Sequence, residues 1–133
     1  MKKLVLGLIA LGFSVGVNAA CDKKSLKGGY EAMTQQENAC STFTGFIFNG
    51  AGTFTASFQQ NCKGSLGEVT TISGTYTVAK SISCSVSAIG VGTNANQYAF
   101  NLYLEPTLKN GFVSVLNPQN YNAASFGQVL KTQ

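Results

Sequence analysis

Four cysteines and five carboxylates are the residues with chemistry to offer, and the chain has no histidine. Without histidine, the commonest general base and the commonest metal ligand are missing, and neither a Ser-His-Asp triad nor a Cys-His dyad can form. The cysteines fall at 21, 40, 62 and 84. This spacing contains no C-x-x-C pair, so it offers no zinc motif. There is no G-x-S-x-G, no phosphate-cradling Gly-Lys-Ser/Thr loop and no dinucleotide fingerprint. Gly90-Val91-Gly92 lacks the third glycine and the helix that such a fingerprint needs. The carboxylates are Asp22, Glu31, Glu37, Glu68 and Glu105. Asp22 and Glu37 fall near ends or turns, where water solvates them. Glu31 and Glu105 fall on extended segments. A pair of carboxylates facing one interior would suit acid–base work or glycoside hydrolysis. Alternation places Glu31 outward if Tyr30 and Ala32 point in. The sequence therefore predicts no catalytic residue, no metal site and no cofactor.

An even number of cysteines in an exported chain reads as two disulfides. Export is expected from the first twenty residues. Met1-Lys2-Lys3 is a positive start, Leu4 to Val17 is apolar, and Asn18-Ala19-Ala20 offers a small-residue cleavage site. The apolar run is shorter than the roughly 20 residues of a spanning helix. The expected division is a cleaved signal peptide over 1–20 and one domain over 21–133. A second reading makes Cys21 a lipidated first residue, although Asn18 stands where lipoprotein signals carry an aliphatic residue. The expected location is the periplasm or the medium.

The segments that must position these groups are extended. Apolar, Thr and aromatic runs recur at Lys27 to Gln35, Ser41 to Asn49, Thr53 to Gln59 and Val69 to Val78. Further runs are Ile82 to Ile89, Gln97 to Glu105, Phe112 to Leu116 and Ser125 to Lys131. Turn residues separate them. About eight short strands with no helix predict an all-β domain: an antiparallel up-and-down barrel, or alternatively a two-sheet sandwich. A three-residue loop at Gly50-Ala51-Gly52 would set Phe48 against Phe54, Phe46 against Ala56, Thr44 against Phe58, and Cys40 against Cys62. Residues opposite each other in an antiparallel pair lie within disulfide range. The remaining pair is then Cys21 with Cys84. Phe46, Phe48, Phe54, Phe58, Tyr76, Tyr98, Phe100 and Phe112 are the expected core, with a ligand-lined cavity as the alternative use of the same rings.

Ser25-Leu26-Lys27-Gly28-Gly29-Tyr30, Phe46-Ile47-Phe48-Asn49-Gly50-Ala51-Gly52 and Ser73-Gly74-Thr75-Tyr76-Thr77-Val78 with Cys84 behind it resemble a pattern in exported bacterial proteins. That group carries L-x-G-x-Y, F-x-G-x-G and G-T-Y-x-V followed by cysteine. The resemblance spans residues 25–84 and implies a calycin-like or allene-oxide-cyclase-like barrel. It also implies the pairing of Cys21 with Cys84. It carries over no catalytic residue.

Nine lysines and no arginine give a net charge of +4. Loss of Lys2 and Lys3 with the leader lowers this to about +2. A charge so small, without arginine, argues against nucleic-acid binding. Short strands and a chain end without an aromatic argue against an outer-membrane barrel. The expected function is binding rather than catalysis, of an unidentified protein or small apolar molecule. A cyclase- or isomerase-like enzyme and a structural surface component are the alternatives.

Overall fold

A computed structural model describes residues 20–35, 40–116 and 125–133. Most of the expected leader and Glu37 lie outside the described residues. The strands are β1 (Gly28–Gln35), β2 (Cys40–Phe48), β3 (Thr53–Cys62), β4 (Ser65–Leu66), β5 (Thr70–Lys80), β6 (Cys84–Gly92), β7 (Gln97–Leu104), β8 (Asn110–Leu116) and β9 (Ser125–Lys131). All pairings are antiparallel. β1 joins β2 and β9, β2 joins β3, and the run β3-β5-β6-β7-β8-β9 completes the ring. The result is a closed eight-strand barrel, with the two-residue β4 added beside the end of β3. A sandwich is excluded by this single closed ring.

Alternation decides which side chains go in. Burial alternates along β2 and β6 almost residue by residue. Tight curvature comes from inward positions that carry no side chain. A Cβ at Gly127 would lie 1.8 Å from the Met33 carbonyl oxygen, and one at Gly74 would lie 2.0 Å from that of Ile89. Neighbouring backbones cross closely there, which is how a small barrel bends its strands shut.

The register of the β2–β3 hairpin is the one expected from the sequence. Phe48 pairs with Phe54, Phe46 with Ala56, Thr44 with Phe58, and Cys40 with Cys62. Asn49 fixes the turn. Its Oδ1 accepts from Ala51 N at 2.8 Å and from Thr53 N at 3.1 Å. Gly50 and Gly52 have φ values of +82° and +111°, which a Cβ would oppose.

Several boundaries differ from expectation. The β5–β6 turn is Ser81 to Ser83, so β5 runs past Val78 and Lys80 lies opposite Cys84. Ile82 is therefore at a hairpin tip and not in a strand. Gly90 to Gly92 extends β6 instead of opening a loop, and Asn110-Gly111 belongs to β8 rather than to a turn. Turn composition misled at both places, because glycine also serves where neighbouring backbones crowd. Gly111 sits with an ideal Cβ 2.1 Å from the Tyr103 carbonyl oxygen.

The disulfides are Cys40–Cys62 and Cys21–Cys84, with Cα separations of 4.1 Å and 5.5 Å, and no cysteine is free. The first staples the β2–β3 hairpin at one end of the barrel. The second ties the segment before β1 to β6 at the other. With its partners 22 positions apart in sequence, Cys40–Cys62 contributes about 3 kcal/mol in the chain-entropy account. The Cys40→Ala/Cys62→Ala protein is expected to lose that amount in equilibrium denaturation. An unchanged midpoint would show that the hairpin register is held without its staple.

Candidate functional site

Three regions have the residue types to act: the interior, its hydroxyl-bearing end and the outer wall. The interior is built from rings on strands that are not neighbours. Phe100 of β7 meets Phe46 of β2 edge-on at 4.9 Å between centroids and Phe54 of β3 at 6.2 Å. Phe48 packs edge-on against Tyr76 at 4.8 Å and against Tyr30 at 5.6 Å. Leu26 and Leu108, both buried, cover this end. These contacts fill the middle of the barrel with aromatic rings, as expected from the sequence for Phe46, Phe48, Phe54, Tyr76, Tyr98 and Phe100. Phe58 is only partly buried, against Tyr98. Phe112 departs from expectation. It points outward and is 66% exposed, because β8 starts at Asn110 and its inward positions fall on Val113 and Val115.

Two ring hydroxyls bond to backbone oxygens, while that of Tyr98 accepts from Asn94 Nδ2 at 2.8 Å. Tyr30 donates to Leu108 O and Tyr76 to Lys23 O, both at 3.0 Å. Burial pushes the Tyr30 hydroxyl up to about 12, and the neighbouring Tyr76 adds to the shift.

Toward the Cys40–Cys62 end the interior turns polar. Thr34, Thr42, Thr44 and Ser125 are all buried. Thr34 bonds to Thr42 directly across the β1–β2 ladder and donates to Ser125 at 3.0 Å. Thr44 Oγ1 is buried without a hydrogen-bond partner among the described residues. Little in the residue pattern marks this layer. Threonine is common in strands on either face, and only the alternation with Phe46 and Phe48 on β2 marks Thr42 and Thr44 as inward.

The carboxylates are not brought together. Glu31 is exposed on the outer face of β1, opposite Gly45 and Leu130. Glu105 lies in the β7–β8 turn and accepts from the Thr107 hydroxyl. Asp22 accepts from Ser25 N at 2.7 Å, and this bond chiefly holds its carboxyl below the usual value. Glu68 is exposed beyond β4. None of these four faces the interior. Among the described residues, no group of three or more His, Cys, Asp or Glu side chains is placed to hold a metal ion.

The outer wall is two-sided. On β3 and β5 the outward residues are hydroxyls, with Thr53 opposite Thr75, Thr55 opposite Ser73, and Ser57 opposite Thr71. Across β7, β8, β9, β1 and β2 the outward row is Tyr103, Phe112, Gln128, Met33 and Phe43, each paired with the next. Phe126 and Leu130 stand beside this row on β9, at 68% and 57% exposure. Five strands span about 19 Å at the usual spacing. Two shallow grooves flank Phe126. One, of about 500 Å³, is bordered by Glu31, Met33, Phe43 and Leu130. The other, of about 450 Å³, is bordered by Tyr103, Phe112 and Ser114. The sequence-based reading missed this wall because it assigned Phe112 to the core and left the outward Met33, Phe43, Phe126 and Leu130 unused.

The fold and the site together describe a small, closed, antiparallel β-barrel with a filled interior and its exposed aromatic rings gathered on one wall. Its structure is similar to one titled "De novo design of a fluorescence-activating beta barrel". The TM-score is 0.55 and the identity 8%, over 80% of this chain and 93% of that one. The likeness is one of fold. No protein family matches the sequence, and no curated protein matches it.

The Tyr30 shift carries a sign for stability. A phenol whose folded value exceeds its unfolded value of about 10 favours folding below that pH. The benefit disappears as pH rises through about 12. In denaturation series across this window, the native protein is expected to lose stability more steeply than Tyr30→Phe. Parallel alkaline slopes for the two proteins would contradict the burial of this hydroxyl.

Proposed function

We propose that the protein is a non-catalytic binding module whose contact surface is the outer wall of β7, β8, β9, β1 and β2, and whose partner is another protein. One observation carries this reading: the exposed rings Phe43, Tyr103, Phe112 and Phe126 stand with Met33 and Leu130 on one wall, while the outward faces of β3 and β5 opposite are chiefly Thr and Ser. Single exposed apolar residues are ordinary on any surface, but connected ones mark interaction sites. Burying a side chain such as Phe112, Phe126 or Leu130 is worth about 1.5–3 kcal/mol. The fold forgoes that gain at each of them, and a partner would recover it. Aromatic rings and Met in such a patch, with Gln128, Ser114 and Glu31 interspersed, match the composition of protein interfaces.

Aromatic packing at 4.8–6.2 Å opposes a ligand held in the middle of the barrel. The separated carboxylates and the absent histidine likewise favour binding over a cyclase or isomerase reaction. Two disulfides are what an oxidising compartment supports, so we place the partner in the periplasm or the medium. Among the described residues no helix is long and apolar enough to cross a membrane. The hydroxyl wall on β3 and β5 also opposes a lipid-facing apolar belt around the barrel.

A photo-crosslinking amino acid placed at Phe126 and, separately, at Thr75 tests the reading in the producing cells. Adducts to a protein from position 126 and none from position 75 are expected. An adduct at twice the protein's own mass would make a second copy the occupant of the same wall. No protein adduct from 126, 112 or 33 would overturn the proposal.

A further inference from the structure

The two ends of the barrel differ in charge. One end gathers the turns at 49–52, 81–83 and 105–109, together with the segment that precedes β1. Lys23, Lys24, Lys27, Lys80, Lys109 and Lys131 all sit there; all but the half-buried Lys131 are exposed. The carboxylates at this end are Asp22 and Glu105, already engaged with Ser25 N and the Thr107 hydroxyl, and Glu31, one pair inward from Lys131, so the lysines outnumber them two to one. No lysine here forms an ion pair among the described residues. At the opposite end the described charges are Lys63 and Glu68, which cancel.

Three of these lysines lie against the barrel. Lys27 and Lys23 lie over Gly50 and Gly52, where an added Cβ would come within 3.1 Å of each side chain. Lys131 stands over the Tyr30 ring at 5.8 Å. Ile82 projects from the tip of the β5–β6 hairpin, 104% exposed. The Cys21–Cys84 disulfide anchors this hairpin at its base. Beside the tip is a recess of about 200 Å³ bordered by Lys80, Ser81, Ser83, Pro106 and Leu108 together with that disulfide.

We infer that this end docks on an anionic phospholipid surface, with Ile82 entering the boundary between headgroups and acyl chains and with Lys80, Ser81 and Ser83 around a lipid phosphate. Lysines near a negative membrane surface each add attraction, and an apolar residue at the leading point adds burial. A soluble polyanion would use the lysines but gain nothing from a projecting isoleucine, so Ile82 favours the lipid. Docked in this way, the barrel axis stands upright and the apolar wall faces sideways. The two surfaces are independent, and either can fail without the other.

Sedimentation of the disulfide-bonded protein with vesicles tests the inference. It is expected to bind phosphatidylglycerol–phosphatidylcholine vesicles, to release them as salt rises, and to ignore phosphatidylcholine alone. Lys80→Ala is expected to weaken binding about fivefold and Ile82→Ser about tenfold. Both positions are exposed, so both variants keep the wild-type melting temperature. Phe126→Ser is expected to bind vesicles normally. Equal affinity for both vesicle types, or none for either, would overturn the inference. So would wild-type binding by Ile82→Ser with full competition by inorganic polyphosphate, which would make this a soluble-polyanion site. Loss of binding in Phe126→Ser would move the contact to the apolar wall and overturn it as well.

Discussion

The meeting of Phe100 with Phe46 and Phe54 across the interior is the contact on which the rest depends. β7 lies on the far side of the ring from β2 and β3, so no ladder hydrogen bond joins them. Backbone pairing closes the wall, but only side chains crossing the interior stop it from flattening. Edge-on ring pairs contribute about 0.5–1.5 kcal/mol beyond their burial. The burial itself is larger, and it fixes the register. A slip of one residue would turn every ring outward.

That commitment shapes the exterior. Once the large aromatics of β2, β3, β5 and β7 are spent inside, a soluble barrel needs only polar residues outside. β3 and β5 follow this rule with an array of hydroxyls. β8, β9 and β1 break it with Phe112, Phe126, Leu130 and Met33. Leu66, Val69, Ile89 and Val91 are exposed elsewhere, but the exposed aromatic rings are gathered on this one wall, which is why it reads as a contact surface rather than as ordinary surface apolarity. The basic end is a second departure from uniformity. It arises because the turns and the segment before β1 bring their lysines to one pole of the barrel.

Much of the fold was legible in the sequence, and the physical reasons can be named. The β2–β3 hairpin was readable because Asn49 to Gly52 allows few turns and because one register aligned both the phenylalanines and Cys40 with Cys62. β9 was readable as the extended run Ser125 to Lys131, but its inward and outward faces were not assigned. The β5–β6 turn was not readable, since Ser81, Ile82 and Ser83 also suit a strand. Gly90, Gly92 and Gly111 were read as punctuation, although they sit in strands where a Cβ would crowd a neighbouring strand or side chain. The outer wall was hidden for a related reason. Composition counts aromatic residues but does not assign them a face, and the start of β8 at Asn110 decided that Phe112 points to water. The threonine layer inside depended on the same parity.

The central claim is that inward rings hold this barrel together while outward rings of the same type do not. Equilibrium unfolding of Phe100→Ala beside Phe126→Ala measures it directly. The account predicts a loss of about 3–5 kcal/mol for the inward ring and a change within about 0.5 kcal/mol for the outward one. Equal losses, or a larger loss at Phe126, would contradict it.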